Sequence, residues 1–561
     1  MNQLHRIAGA VAAACAGWAA CAGNAAAFTF ETEAIKGSFD STITVGAGKR
    51  LQQQSCGLLG APTAQCSEDQ VNPLTWSGAD DGNLNYNKGD FFTAYLKGSH
   101  ELLLSMPSQG LKFMARANWL KDFKADDTRS TPLLPDAKKE IVNDVNLVDL
   151  WVSKSFSAGE QTGRVKIGNQ VISWGESLFA LGGINATNAV DIVRLSSPGL
   201  QLKEVFLPAP MASVSSSLAP GVSVEGYYQF KWNRYKFPPA GSYWSQGDIF
   251  DKGRGDLPFL DADKTPKDGG QFGLSLRWKS DALDTNFGFY AINYHDKTPN
   301  LNYVNAKGLT QWTFLENRKL YGVSANTSVG DWALGAEVSY RPKDAVALSA
   351  CADAGTGGTA RDFTPTAAPS TQCPGWIDNK RYQLHVTGLY SLIPSNAGAF
   401  LKLLGADTGT FLGEFVAIRY PGISPDKLIS RSVNGVAIEQ VPVAGLWWLP
   451  SSGSGVTQGF GDATSMGFMA DFSLVYDGSL IPGWQVIPGM FVQQALKGST
   501  PNFFGNWLEG GKAVNFYVNF VQNPATWQAG INVTKFFGGK TPTHQPLGDR
   551  DFFGFYVSRN F

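Results

Sequence analysis

Long apolar runs are missing from this chain beyond its N-terminal segment. After residue 27 no stretch approaches the roughly 20 apolar residues of a membrane-spanning helix, which excludes a helical membrane protein. Charge is also scarce. Asp, Glu, Lys and Arg make up 17% of the sequence, against about 25% in ordinary globular proteins. The net charge is −1, so no nucleic-acid partner is implied. Histidine is rare: beyond the N-terminal segment there are His100, His295, His385 and His544. There is no G-x-S-x-G elbow, no H-E-x-x-H and no Walker loop. A lumen-facing His100 beside Ser99 or Glu101 is the nearest approach to a triad, and spacing alone does not make one. The expectation is no enzyme, no catalytic residue, no metal and no cofactor.

Cysteine is sparse but patterned. Cys15 and Cys21 fall in the N-terminal segment. The other four form two local pairs, Cys56 with Cys66 and Cys351 with Cys373, each in a turn-rich stretch. No His lies near either pair and the spacings are too wide for a typical zinc site, so two loop disulfides are expected.

Glycine and aromatics are abundant: 63 Gly, and 12% Phe, Trp and Tyr. The last residues read Asp551-Phe-Phe-Gly-Phe-Tyr-Val-Ser-Arg-Asn-Phe561. Counting back by twos from Phe561 gives Arg559, Val557, Phe555 and Phe553, a greasy strand face interrupted by one Arg. Such an edge invites aggregation in a soluble protein. It suits the closing strand of an outer-membrane barrel, with Phe561 at the closure. At the other end, an apolar Ala-rich run over 7–23 precedes Ala25-Ala26-Ala27. That pattern reads as a signal peptide, residues 1–27, cut before Phe28. An uncleaved anchor would need a longer run, and a lipoprotein signal ending at Cys21 would want Leu where Trp18 stands.

Period-two alternation recurs. Val222, Val224, Gly226, Tyr228, Phe230 and Trp232 oppose Ser223, Glu225, Tyr227, Gln229 and Lys231. Trp332, Leu334, Ala336, Val338 and Tyr340 oppose Ala333, Gly335, Glu337, Ser339 and Arg341. Phe272, Leu274, Leu276 and Trp278 oppose Gly273, Ser275 and Arg277. Trp and Tyr at strand tips suggest interfacial girdles. The pattern places strands near 39–47, 89–104, 110–122, 145–156, 162–172, 211–217, 222–232, 271–279, 284–295, 320–329, 331–341, 381–392, 411–420, 465–476, 484–495, 513–522, 526–537 and 552–561. Long connections (48–88, 173–210, 233–270, 342–380, 421–464) alternate with tight turns, as external loops alternate with periplasmic turns. A single domain over 28–561 follows: a transmembrane antiparallel β-barrel of about eighteen strands, with sixteen as the alternative. The connection 393–410 is long for a turn, and a short helical turn is expected at 400–405.

A barrel this wide leaves a water-filled lumen unless something folds inside. The third external loop, 173–210, is too apolar for a solvated excursion. The expectation is an inward-folded loop with Asn188 capping a helix over 189–195. Trp174, Glu176, Asp191, Arg194, Lys203 and Glu204 are its candidate constriction residues, because both charge signs orient a solute. The same charges would serve equally as internal salt bridges of a loop that packs the lumen. The carboxylate pairs Asp80-Asp81 and Asp126-Asp127 offer sites for Ca²⁺ or lipopolysaccharide bridging, but solvated loop charge is the simpler reading.

Gly168-Asn-Gln-Val-Ile-Ser-Trp-Gly-Glu-Ser177, Gly182-Gly-Ile-Asn185, Val190-Asp191, Leu202-Lys-Glu204, Leu207-Pro-Ala-Pro-Met211 and Tyr228-Gln-Phe-Lys-Trp-Asn-Arg234 closely resemble a proteobacterial family, domain-of-unknown-function family 1302. Phe39-Asp-Ser-Thr-Ile-Thr-Val45 and Asp81-Gly-Asn-Leu-Asn-Tyr-Asn-Lys-Gly89 are similar to it too. The resemblance implies the outer membrane of a Gram-negative bacterium, in contact with lipid and lipopolysaccharide. It also implies a possible partnership with a periplasmic lipoprotein-like protein and a resistance-nodulation-division transporter, and leaves substrate, direction and oligomeric state open. The expected function is passage or hand-over of small hydrophobic or amphipathic solutes. A non-conducting barrel that scaffolds an envelope transport complex, and a surface receptor or adhesin, are the alternatives.

Overall fold

The alternating segments pair into one closed sheet. The computed structural model describes residues 28–60, 62–71, 80–195, 197–199, 204–355, 371–445, 459–540 and 544–561. The expected signal peptide, residues 1–27, and the candidate Lys203 lie outside these described residues. The barrel strands are β1 (Lys36–Arg50), β2 (Phe91–Met106), β3 (Leu111–Asp122), β4 (Asn143–Ala158), β5 (Gln161–Gln170), β6 (Ala209–Ala219), β7 (Val222–Gln229), β8 (Gln271–Ser280) and β9 (Thr285–Tyr294). They continue as β10 (Arg318–Val329), β11 (Trp332–Ala347), β12 (Trp376–Leu392), β13 (Thr408–Arg419), β14 (Thr464–Asp477), β15 (Trp484–Lys497), β16 (Gly511–Gln522), β17 (Trp527–Gly538) and β18 (Phe552–Asn560). Each pairs antiparallel with its chain neighbours, and β18 returns to β1 with Asn560 opposite Thr42 and Phe552 opposite Arg50. The result is an eighteen-stranded antiparallel β-barrel. Among the described residues no helix is long and apolar enough to cross a membrane.

Each strand's two faces meet different surroundings. Leu334 and Val338 are exposed on the outside, whereas Glu337, Ser339 and Arg341 are buried within. Aromatic girdles bound the outer band. Trp332 lies against Tyr390 (4.8 Å) and Phe411 (6.0 Å) at the turn end, and Tyr340 stacks on Tyr382 (4.9 Å) at the loop end. The eight-residue step from Trp332 to Tyr340 covers about 26 Å along a strand, or about 20 Å of height at a usual barrel tilt. That is slightly less than the apolar band of about 25 Å in outer-membrane barrels.

At the seam, Phe561 exchanges main-chain hydrogen bonds with Ser41 (2.8 and 3.2 Å). The guanidinium of Arg559 lies over the rings of Trp527 (5.2 Å) and Phe561 (4.8 Å). These cation–π contacts let a charge end an otherwise greasy face. The short strand Phe28–Glu31 pairs with Lys36–Phe39 where β18 has ended. The long connection after β12 holds a helix, Pro394–Leu404, closed by Gly405 in the left-handed region (φ 66°). It is longer than the helical turn expected at 400–405.

Several of the described external loops pack against one another. A large apolar cluster joins Tyr235, Phe237 and Phe250 of the fourth external loop to Tyr303 and Trp312 of the fifth and Phe503 of the eighth. The disulfide Cys351–Cys373 (Cα–Cα 6.3 Å) lies within it. Cys56–Cys66 (Cα–Cα 5.4 Å) closes a turn of the first loop.

His100 lies on the outer wall of the barrel. Lys97 and Ser99 point inward, since Lys97 reaches Glu204 of the third loop, so His100 faces outward. There it stacks on Phe39 and bonds the Ser41 hydroxyl and the Trp119 indole, both at 2.9 Å.

Candidate functional site

The third external loop leaves β5 and crosses the lumen to the opposite wall. Wall carboxylates hold its main chain. Glu337 of β11 accepts the amides of Glu176 (2.6 Å) and Ile184 (2.9 Å). Glu414 of β13 accepts three consecutive amides, Leu178 (3.3 Å), Phe179 (2.6 Å) and Ala180 (2.8 Å). His385 of β12 sits between them, with Nδ1 2.7 Å from Glu414 Oε1 and Nε2 3.9 Å from Glu337 Oε1. All three side chains are fully buried. Arg341 completes the clamp by donating to the Gly182 and Gly183 carbonyls and to Tyr294 Oη (2.9 Å).

The loop's sequence explains the close fit. Gly175 has φ +87°, a left-handed conformation that side chains rarely adopt. A Cβ on Gly183 would overlap the Glu337 carboxylate. Gly183→Ala should therefore break the Glu337 contact and leave the barrel intact. The expected readout is protease cleavage near residue 180 in the folded variant, with no cleavage of the wild type.

The loop then returns to the near wall. The expected helix over 189–195 is cut to Ile192–Leu195, because Ala189–Val190 pairs instead with Phe206–Leu207. Asn188 is no cap: its side chain bonds the Ile172 main chain in both directions (2.6 and 3.1 Å). Asp191 caps the short helix through the Arg194 amide (3.0 Å).

The candidate constriction residues separate into two groups. Trp174 bonds to β7 and Glu176 to β10. The Trp174 indole donates to Glu225 (2.7 Å), and Glu176 accepts from Ser324 (3.2 Å) and Asn326 (3.0 Å) of β10. Asp191 and Arg194 share an ion-pair network around Asp144 of β4, and Glu204 forms a separate pair with Lys97 of β2. Arg194 meets Asp144 (2.7 Å), Glu204 meets Lys97 (2.7 Å), and Asp191 shares Lys236 with Asp144 (3.9 and 3.6 Å). The structure thus does not gather them in one ring; it ties each end of the loop to its own wall.

The family model described as "Protein of unknown function (DUF1302)" matches residues 7–561. The chain belongs to the DUF1302 family. No curated protein matches it in sequence. Among solved structures it is similar to OccAB1 of Acinetobacter baumannii, at 10% identity and TM-score 0.44 over 95% of this chain and 99% of that one. It is also similar to OccK9 (OpdG) of Pseudomonas aeruginosa, at 10% identity and TM-score 0.40 over 94% and 97%. A BenF-like porin of Pseudomonas fluorescens matches at 10% identity and TM-score 0.40 over 94% and 99%.

In this DUF1302 barrel a cavity of about 430 Å³ lies beyond the loop on the external side. One part of its wall is aromatic: Tyr235, Phe237, Trp244, Phe250, Phe503, Phe504 and Trp507. Another part is charged: Asp296, Lys297, Arg341, Asp344 and Arg381. A β-bulge builds the charged part. Arg341 pairs with Arg381 and Asp344 with Asn379, so Pro342 and Lys343 together oppose Lys380. The extra residue reverses the side-chain parity and turns Asp344 inward. Arg381 Nη1 (3.3 Å) and the Tyr420 hydroxyl (2.5 Å) then hold Asp344. On the turn side of the loop, a second cavity of about 660 Å³ is lined by Glu176, Ser217, Ser223, Arg277 and Asn326.

Proposed function

We propose that this barrel is an outer-membrane channel whose third external loop narrows the lumen and whose external cavity selects small amphipathic solutes. One observation supports this above others: the cavity over the loop sets an aromatic wall against a charged one. A solute with an apolar body and an ionised head matches both walls. The loop's two tethers define the constriction. Trp174 and Glu176 hold one side, while Asp191, Arg194 and Glu204 hold the other. The barrel supplies no energy, so direction comes from the solute gradient or from a periplasmic partner.

The test is single-channel recording of the folded protein in planar bilayers. Small aromatic carboxylates should block the current at concentrations about tenfold below those of neutral sugars of similar size, about 1.4 kcal/mol of preference. Equal block by both classes would overturn selection in the cavity. Absence of any current from folded protein would overturn the channel and favour a non-conducting scaffold.

A further inference from the structure

Three carboxylates from two external loops meet at the edge of the external cavity. Asp80 and Asp81 stand at the start of the short helix Asp81–Leu84 in the first loop. Asp248 comes from the fourth loop, next to the cavity-lining Gly247. One oxygen from each lies within 4.8 Å of the others. The simpler reading of Asp80-Asp81, solvated loop charge, fails here. Asp80 is 2% exposed. By contrast Asp126 and Asp127 form surface ion pairs with Lys138 (3.3 Å) and Lys124 (2.6 Å), as solvated acids do.

The bonding inside the cluster is incomplete in one direction. Asp80 Oδ2 accepts the Gly60 amide (2.8 Å), while Oδ1 is buried without a hydrogen-bond donor. Asp248 repeats the pattern: Oδ2 accepts the Asp81 amide (3.1 Å), and Oδ1 is buried without a donor. Asp81 Oδ1 accepts the Thr131 hydroxyl of the second loop (2.8 Å). Among the described residues no Lys, Arg or His nitrogen lies within ion-pair distance of the three. Buried carboxylates crowded together without a counter-charge are costly. A cation among them removes that cost and satisfies the bare oxygens.

The donor chemistry selects the ion. All donors are oxygens, with no His or Cys, which suits a hard cation and disfavours zinc or copper. Carboxylates drawn from two separate loops suit the variable coordination geometry of Ca²⁺ better than the strict octahedron of Mg²⁺. We propose that Asp80, Asp81 and Asp248 form a calcium site that staples the first external loop to the fourth. The seam there is already close: Asn85 Nδ2 donates to the Gly241 carbonyl (2.9 Å), and a Cβ on Gly82 would overlap the Ser242 carbonyl. The fourth loop carries Phe237, Trp244 and Phe250 into the cavity, so the ion holds the aromatic wall in shape. This last consequence rests on the solute-selection reading above; the binding itself does not.

The experiment is isothermal titration of CaCl₂ into folded, full-length protein stripped with a chelator. One Ca²⁺ should bind, with a Kd between about 10⁻⁶ and 10⁻³ M. Asp248→Asn and Asp81→Asn should each weaken binding at least about tenfold, and Asp126→Asn should leave it unchanged. Heat-modifiability on gels confirms that each variant is folded. No binding by the wild type, or equal binding by folded Asp248→Asn and Asp81→Asn, overturns the site. The titration needs no solute and no current, so it fails or succeeds independently of the channel reading.

Discussion

Glu414→Leu should release the third loop from the far wall and raise single-channel conductance about fivefold, towards that of an unobstructed lumen. Glu414 accepts the amides of Leu178, Phe179 and Ala180, the last two at 2.6 and 2.8 Å. Replacing it with an apolar side chain strands at least two well-aligned donors, at about 1–3 kcal/mol each. Shifting a two-state loop from 99% closed to 1% closed takes about 5.5 kcal/mol. Two such losses, about 2–6 kcal/mol together, run from partial to full release of the loop. Glu414→Gln keeps an acceptor oxygen and should change conductance little. The pair separates the loss of acceptors from the loss of charge. Deleting 177–197 sets the ceiling, since it removes the crossing segment itself. If Glu414→Leu conducts like wild type while the deletion conducts strongly, the clamp on β11 alone suffices and Glu414 is dispensable. If the deletion also conducts like wild type, the loop does not obstruct the path at all.

Much of the barrel was legible because lipid imposes a local rule. Every second residue of a spanning strand must be apolar, so Trp332, Leu334, Ala336, Val338 and Tyr340 announced both a strand and its outer face. Glu337 and Arg341 were correctly placed on the opposite face by the same pattern. Their partners were not. Glu337 meets Glu176 across 161 residues and Glu414 meets Phe179 across 235. No local periodicity encodes such a contact. The glycines in Trp174-Gly-Glu and Gly182-Gly-Ile were a usable signal of close approach, but not of what approaches. Period-two reasoning also fails wherever a bulge intervenes. It ended β11 at residue 341, while the bulge at Pro342 and Lys343 carries the strand on to Ala347 and turns Asp344 inward. For His100 the alternation left the facing open, and the reach of Lys97 to Glu204 decides it. The burial of Asp80 was hidden for the same reason as the clamp, because Asp248 approaches from 167 residues away.

The charged wall of the external cavity should make ion selectivity depend on pH. Asp296 and Lys297 lie just beyond the end of β9, in the fifth external loop. Burial, with Asp344 and Asp378 adding to it against Arg318 and Arg341, pushes Asp296 up to about 7. Burial pushes Lys297 down to about 7, against the pull of Asp296. Both therefore titrate in one window. Below it Asp296 is neutral and Lys297 charged; above it Asp296 is charged and Lys297 neutral. Both changes subtract positive charge as pH rises. Counting Arg341, Arg381 and Asp344 as ionised throughout, the cavity passes from two net positive charges to none. A unit charge about 7 Å from a permeating ion is worth about 1–2 kcal/mol at an effective dielectric of 20–40. The chloride-to-potassium permeability ratio should thus fall about tenfold or more between about pH 6 and about pH 8. Reversal potentials in a KCl gradient measure it. Asp296→Asn with Lys297→Met should flatten the profile and leave conductance at high salt nearly unchanged. A ratio that is constant with pH in the wild type would mean that permeating ions do not pass this wall, and that the path through the barrel lies elsewhere.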